Sequence, residues 1–264
     1  MTLSELLDAN VLDNGRLNAV VDDVWTQGRT SYGGLSTALC YHAAAQALPE
    51  PRALRSAMIS FVGPSAGPVD VEAELMRAGR TAASVRTRLK TPDTNGVEAS
   101  FIFSNMRESV LNVPGPGLPE DLPPHPETGP ELVAPPELAP AFTRQFDWIW
   151  PPGLAPFVHT GSPEERVWVR LKDERQWETM AGLLCVGDAL PPAVAPIMTQ
   201  FAPISSMTWM VDVLTDELKT DDGWWLLESK ANYAGGGHCS QDMTIWNTRG
   251  ECVVKGRQMV TVFL

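Results

Sequence analysis

Apolar and polar residues follow two different periods in the first half of the chain. Residues 33–48 begin with two glycines and continue as small and apolar residues until Pro49 and Pro51, which predicts a helix. A Val-rich run at 18–24 is compatible with a strand before it. After the helix the period changes to two, and an antiparallel meander of about four strands is predicted at 54–62, 69–77, 84–90 and 97–106.

The same succession of elements returns in the second half. An apolar run at 175–186 predicts a helix, and Asp188 follows it just before two prolines end the run. Strands are predicted around this helix, at 166–171, 207–214, 224–230 and in a closing hairpin at 243–263. Because helix, strand, strand, small-residue break, strand, turn and strand occur twice, an internal duplication is the simplest explanation.

Proline separates the two halves. More than half of the chain's 23 prolines lie in residues 113–163, a composition typical of an extended linker rather than of a core element. The aromatic segment 146–153 within it is expected to anchor on a domain face. We therefore predict an N-terminal repeat at 1–112, a Pro-rich linker at 113–163 and a C-terminal repeat at 164–264.

Composition and charge narrow the class of protein. The chain has 264 residues, of which 44% are hydrophobic, so it can form a large core. The net charge of -12 argues against a nucleic-acid partner, which would call for a basic face. The N-terminus lacks a basic, then apolar, leader, and no apolar run approaches the roughly 20 residues of a membrane span. We expect a soluble, cytoplasmic protein.

The cysteines do not indicate a metal site. They are far apart, no two form a CxxC pair, and structural zinc ligands usually come in close pairs. We therefore expect free thiols and no metal at the four positions Cys40, Cys185, Cys239 and Cys252.

Three segments carry a resemblance to a known family. WTQGRTSYGG with the helix after it, FVGPSAGPVDVEAELMRAGRT, and the closing GECVVKGRQMVTVF resemble the type II acyl-CoA thioesterases in their order and spacing. The similarity covers most of the chain outside the linker. It implies an α+β double hotdog, in which two tandem repeats, each a helix wrapped by an antiparallel sheet, form one continuous sheet. It also implies hydrolysis of fatty acyl-CoA without a metal or cofactor.

The resemblance also implies three site residues. The family's Asp near the end of the second helix matches Asp188, its Ser or Thr leading into the next strand matches Ser206, and its Gln in the last strand matches Gln258. Thioester hydrolysis needs a positioned water, a group that takes its proton, and donors for the oxyanion. Asp188 could take the proton, while Ser206 and Gln258 each offer both a donor and an acceptor. Because Ser205 is adjacent to Ser206, a slip of one residue stays open.

Further residues are candidates for substrate binding. Backbone N–H groups at Gly33 and Gly34, or at the break that contains Gly235 and Gly236, could hold the oxyanion. Arg80 forms with Arg77, Arg86 and Arg88 the one basic cluster of an acidic chain. This cluster could bind the phosphates of coenzyme A, although solvated strand ends are an equal alternative.

Each candidate also has a purely structural interpretation. Asp188 could cap a turn, Ser206 could start a strand, and Gln258 could be an ordinary strand residue. The leading hypothesis is an acyl-CoA thioesterase that forms a homodimer through sheet edges. The alternatives are a non-catalytic protein that binds acyl thioesters and a hotdog hydratase or dehydratase, which would rely on a His with an Asp or Glu.

Overall fold

The computed structural model describes residues 1–122, 125–126, 139–151 and 161–264. Its three α-helices are α1 (Leu3–Asp8), α2 (Gly33–Gln46) and α3 (Met180–Gly187). The strands are β1 (Arg16–Val21), β2 (Thr26–Gln27), β3 (Thr30–Ser31), β4 (Leu54–Phe61), β5 (Gly67–Ala78), β6 (Ala83–Lys90), β7 (Asn95–Phe103), β8 (Phe146–Ile149), β9 (Glu164–Leu171), β10 (Ile204–Val213), β11 (Trp224–Gly235), β12 (His238–Asn247) and β13 (Cys252–Val262).

Eleven strands form one antiparallel sheet in the order β1-β5-β6-β7-β4-β10-β13-β12-β11-β9-β8. The central pair is β4 with β10, and Met58 lies opposite Met210 at its middle. Outward from this pair, the first repeat continues as β7, β6, β5 and β1, and the second as β13, β12, β11 and β9. The matching order confirms the predicted double hotdog with one continuous sheet.

The helices α2 and α3 lie against the inner face of this sheet and pack on each other. Leu35, Ala38 and Leu39 of α2 are fully buried, and the many small residues of this helix let the sheet approach closely. A Cβ on Gly34 would lie 2.4 Å from the carbonyl oxygen of Cys185, so the start of α2 can contact the end of α3 only with glycine there. The Tyr32 hydroxyl donates a hydrogen bond to the same carbonyl at 2.7 Å.

The helix predicted at 175–186, which is α3 in the structure, is shorter than predicted. Residues 174–176 form a 3-10 turn, and α3 starts only after Thr179, whose extended backbone and side chain cap the helix by accepting from the Gly182 N–H at 3.0 Å. The apolar run could not reveal this break, because a capping threonine disturbs the helical pattern very little.

The segment assigned to the linker contributes to the core where the structure describes it. Phe146–Ile149 form β8, which pairs with β9 at the edge of the sheet. Phe142, Phe146 and Trp150 are buried, so residues 139–151 do more than anchor on a surface. Residues 123–124, 127–138 and 152–160 of the predicted linker lie outside the described residues, and the repeat boundaries stay predictions.

The sequence predicts no membrane-spanning segment, and the helices of the structure can be compared with that prediction. No helix in the part of the chain that the structure describes is long and apolar enough to cross a membrane.

Candidate active site

The residue after α3 is a buried acid. Asp188 is the C-cap of this helix and is only 9% exposed. One carboxylate oxygen, Oδ1, accepts a hydrogen bond from the Gln258 side-chain amide at 2.5 Å. The backbone N–H of Gly34 also stabilises the charged carboxylate. The fold thus joins two residues that are 70 positions apart, and two of the three predicted catalytic side chains are in direct contact.

The start of α2 lies directly against the same carboxylate. A Cβ on Gly33 would lie 2.4 Å from Asp188 Oδ2 and 3.0 Å from the Phe61 ring, so only glycine fits. A negative charge at a helix N-terminus is favoured by the helix dipole and the unpaired N–H groups there. Because the Gly34 N–H faces Asp188, it is not free for an oxyanion as predicted. The Gly33 N–H has no hydrogen-bond partner among the described residues.

Burial decides the protonation of this acid. Loss of water raises the pKa of Asp188 from its ordinary 3.8 to about 7, while the hydrogen bonds from Gln258 and Gly34 oppose the shift. A carboxyl group with a pKa near neutrality can both take and return a proton under physiological conditions. The arrangement is therefore suited to general base catalysis.

Gln258 continues into a relay of buried amides. Its Oε1 accepts from the Gln241 Nε2 at 3.1 Å, and Gln241 Oε1 accepts from the backbone N–H of Ala193 at 2.8 Å. Gln241 is fully buried and Gln258 is 3% exposed. Sequence reasoning missed Gln241. The available signal was its place on a strand that neighbours the last strand, but the register between the two strands cannot be read from the sequence.

Ser206 faces the same cavity as this acid and amide. It pairs with Val260 across the β10–β13 ladder, and a bulge between Ser206 and Thr208 shifts the register there. Ser206, Asp188 and Gln258 line one cavity, whereas Ser205 is exposed and does not line it. Within the described residues the Ser206 side chain makes no hydrogen bond to Asp188 or Gln258. The structure thus assigns the cavity-facing position to Ser206.

The cavity has a volume of about 560 Å³ and a mostly apolar wall. Its basic side chains are Arg144 and Lys172, and Lys172 lies 3.9 Å from Asp147. Its aromatic and other large apolar side chains are Phe142, Phe146, Trp148, Trp150, Leu190, Met198, Phe201, Ile204 and Val260. A cavity of this size and lining suits an apolar ligand with a few polar groups.

Two predicted substrate-binding glycines lie elsewhere. Gly235 and Gly236 are exposed at the tip of the β11–β12 hairpin and do not line the cavity. Gly236 and Gly237 have φ angles of 58° and 77°, so they form the two-residue turn rather than a donor site. The glycines are explained by turn geometry, because left-handed φ values favour residues without a Cβ.

Arg80 does not line the cavity either. It is exposed in the β5–β6 turn, which strand pairing carries to the Leu54 end of β4, whereas Ser206 lies beside the Phe61 end. The sequence could not show which end of the strands meets the site. Other arginines of the predicted basic cluster form ion pairs, namely Arg86 with Glu74 at 2.5 Å and Arg88 with Glu98 at 2.7 Å.

The histidines and possible metal ligands lie apart from this site. His42, His125 and His238 do not line the cavity, and His159 lies outside the described residues. Across the described parts of the chain, no group of three or more His, Cys, Asp or Glu side chains is placed to hold a metal ion.

Two family models match the chain. One, described as "Acyl-CoA thioesterase C-terminal domain", matches residues 119–262, and the other, described as "Acyl-CoA thioesterase N-terminal domain", matches residues 21–105. No curated protein gave a significant match.

Solved structures share the fold over nearly the whole chain. A conserved protein of unknown function with a hot dog fold from Alicyclobacillus acidocaldarius has a TM-score of 0.87 at 19% identity, covering 99% of this chain and 98% of that one. A candidate thioesterase II from Thermobifida fusca YX has a TM-score of 0.80 at 20% identity, covering 100% and 98%. Acyl-CoA thioesterase II TesB2 from Mycobacterium marinum has a TM-score of 0.75 at 17% identity, covering 99% and 97%.

Proposed function

The chain belongs to the acyl-CoA thioesterase family, and from this premise we propose that it hydrolyses an acyl-CoA thioester to the free acid and coenzyme A. The observation that carries the proposal is the Asp188 carboxyl, which has a pKa of about 7 and borders an apolar cavity. A base with a pKa near the working pH is the group that activation of water requires.

In the proposed reaction, Asp188 takes a proton from water as the water oxygen attacks the thioester carbonyl carbon. The tetrahedral intermediate then collapses, the carbon–sulfur bond breaks, and coenzyme A leaves as a thiolate. Protonated Asp188 returns its proton to that thiolate. The products are a carboxylic acid and the free thiol, and no strong general acid is needed because a thiolate is a good leaving group.

Ser206 and Gln258 are proposed to hold the water beside Asp188. Ser206 borders the same cavity, and its hydroxyl can donate to one group and accept from another. One N–H of the Gln258 amide is used by Asp188, and its oxygen is used by Gln241. Its second N–H is therefore the donor that it can offer to the water or to the developing oxyanion.

For the oxyanion we assign the Gly33 N–H at the start of α2. This glycine does not itself line the cavity, but it borders Asp188, which does, with no room for a Cβ between them, and its N–H is unpaired among the described residues. A helix N-terminus stabilises negative charge that develops in front of it. Gly34 is left out because its N–H serves Asp188.

The two ends of the substrate fit different parts of the cavity wall. The apolar and aromatic side chains suit a fatty acyl chain, and Arg144 with Lys172 are the proposed partners of the coenzyme A phosphates, in place of Arg80. We also propose a homodimer that forms through the edge strands. Its molar mass can be measured by light scattering during size-exclusion chromatography.

The proposal is tested by following free thiol release from acyl-CoA substrates of graded chain length. We expect turnover by the wild type, and a loss of about 10³-fold in kcat for Asp188→Asn, within the usual range for a positioned base. The matched control is Asp242→Asn, which removes a half-buried acid next to Gln241 on β12 that pairs with Arg257 and does not line the cavity, and it should keep wild-type kcat. Binding without turnover for every acyl-CoA, or an active Asp188→Asn, would contradict the proposal.

A further inference from the structure

A third buried amide lies behind the proposed site. Gln241 is opposite Gln258 in the β12–β13 register, is fully buried, and does not line the cavity. Resting on the proposed function, we propose that Gln241 is a positioning residue, which fixes the orientation of the Gln258 amide so that Asp188 always receives an N–H donor. Gln241 touches no reacting atom and acts only through Gln258.

The direction of the relay follows from its far end. The Ala193 N–H is a backbone donor and can only donate, so it requires the oxygen of Gln241. The Cys239 thiol lies 3.8 Å from the same oxygen and is also a donor. Gln241 must therefore present its NH₂ group to Gln258.

The orientation of the Gln241 amide also fixes which group of Gln258 faces Asp188. Because Gln241 presents an N–H, Gln258 must accept with Oε1, and its own NH₂ group then faces Asp188. A Gln258 amide turned by 180° would bring its oxygen against the carboxylate and face NH₂ to NH₂ at Gln241. Both hydrogen bonds would be lost between side chains that are almost fully buried, so the observed orientation is strongly favoured.

The relay also specifies which oxygen of Asp188 handles the proton. Oδ1 accepts from Gln258 and is held as an acceptor, so the proton taken from water is received at Oδ2. Oδ2 is the oxygen that borders Gly33, whose N–H is the proposed oxyanion donor. Base and oxyanion donor therefore lie next to each other on the same side of the carboxylate.

The charge of Asp188 can be followed without interference from its neighbours. The titratable groups that face it are Tyr32 and Cys185, and burial raises the pKa of both well above their ordinary values. Neither changes charge near neutral pH. A shift of the midpoint in the activity profile can therefore be assigned to Asp188.

Two variants of Gln241 test the proposal in the full chain. Gln241→Met keeps the length of the side chain and removes both hydrogen bonds. Gln241→Glu keeps the relay while its carboxyl is protonated and loses the donor to Gln258 when it ionises. The control is Met243→Leu, the next inward-facing position of β12, which changes packing without touching the relay.

For Gln241→Met we expect kcat at pH 7 to fall about 10-fold with KM within about 2-fold, as for a base that is present but less well held. Its activity profile should move to higher pH, because losing an N–H donor disfavours the charged carboxylate. For Gln241→Glu we expect a bell-shaped profile, with activity lost again at high pH. The control should keep the wild-type profile.

Carbon-13 titration of the Asp188 carboxyl, assigned by its absence in Asp188→Asn, gives a readout that needs no substrate. An upward shift in Gln241→Met supports the relay even if no acyl-CoA is hydrolysed, in which case only the proposed function fails. An unshifted titration, or activity profiles of both variants that parallel the wild type after correction for folded fraction, would show that Gln241 only supports the fold.

Discussion

The two repeats share one order of strands but differ in what they bury. Residues can be matched by their place at the helix C-cap and by strand register counted outward from the central pair of Met58 and Met210, which also superposes the bulges of β4 and β10. Each polar residue of the proposed site then has an apolar residue as its counterpart. The matched positions are Asp188 with Ala47, Ser206 with Leu54, and Gln258 with Phe101.

The difference extends across the inner face of the sheet. Further polar side chains of the second repeat occupy positions that are apolar or smaller in the first, and all of them are almost fully buried. The matched positions are Gln241 with Val85, Ser229 with Ala73, and Glu165 with Gly15. The first repeat therefore shows that the fold forms with an apolar interior, and that the polar one is not a requirement of the sheet.

The site nevertheless needs both repeats. The second repeat supplies the acid and the amides, and the first supplies the start of α2, where Gly33 and Gly34 contact Asp188. Burying a carboxyl against a helix start raises its pKa by desolvation while the N–H groups limit the rise. The first repeat has apolar side chains at these matched positions, whereas the second has the polar groups of the proposed site.

The largest expected consequence is a conflict between stability and activity as pH rises. The pKa of Asp188 is raised from 3.8 to about 7, so the folded state binds its proton more tightly than the unfolded state. Its contribution to stability is complete below pH 4 and is lost as pH rises through 7, by at most about 4 kcal/mol. Over the same range kcat/KM should increase, because the ionised acid is the base.

Urea unfolding of wild type and Asp188→Asn between pH 4 and pH 8 measures this loss. The wild type should lose stability relative to the variant, which has no proton to release at this position. Unfolding free energies that run parallel in the two proteins would show that Asp188 has an ordinary pKa, and the comparison between the repeats would lose its electrostatic basis.

Removing the buried acid of β9, and placing an acid at the fully buried Leu17 of β1, tests the comparison away from the site. Both carboxyl oxygens of Glu165 and the hydroxyl of Ser229 opposite it lack hydrogen-bond partners among the described residues, and burial raises the pKa of Glu165 well above its ordinary value. Glu165→Leu should therefore stabilise the fold by about 1–3 kcal/mol, the usual cost of an unsatisfied buried polar group. Leu17→Glu should destabilise it by about 2 kcal/mol or more.

Both changes are measured by chemical denaturation, with thiol release as a second readout. Glu165→Leu should keep kcat within about 2-fold, because Glu165 does not line the cavity. If this variant is folded but less stable, or folded but inactive, the buried acid has a function of its own that the first repeat lacks.

The sequence predicts what is periodic and local. The α2 helix follows its small-residue run, the strands of both repeats follow their alternation, and the duplication predicts the single sheet. The break before α3 and the strand β8 were missed, because a capping Thr179 and a few aromatic residues among prolines leave no period to detect.

The site was only partly predictable for a different reason. Asp188, Ser206 and Gln258 came from a family resemblance, and the structure brings all three to one cavity. Gln241 could not be found and Arg80 was misplaced, because both depend on which residues face each other across the sheet and on which end of the strands meets the helices. These relations are set by long-range pairing, which no local pattern encodes.

The smallest expected effect comes from the hydroxyl of the proposed site. Ser206→Ala removes a polar group that the first repeat lacks at the matched Leu54, and Ser206 makes no hydrogen bond to Asp188 or Gln258 within the described residues. Losing one hydroxyl contact to water should lower kcat about 5-fold, equal to roughly 1 kcal/mol, with Tm unchanged. The exposed neighbour supplies the control, because Ser205→Ala makes the same change outside the cavity and should keep wild-type kcat. Equal kcat in the two variants would remove Ser206 from the site and leave the difference between the repeats to Asp188 and its amides.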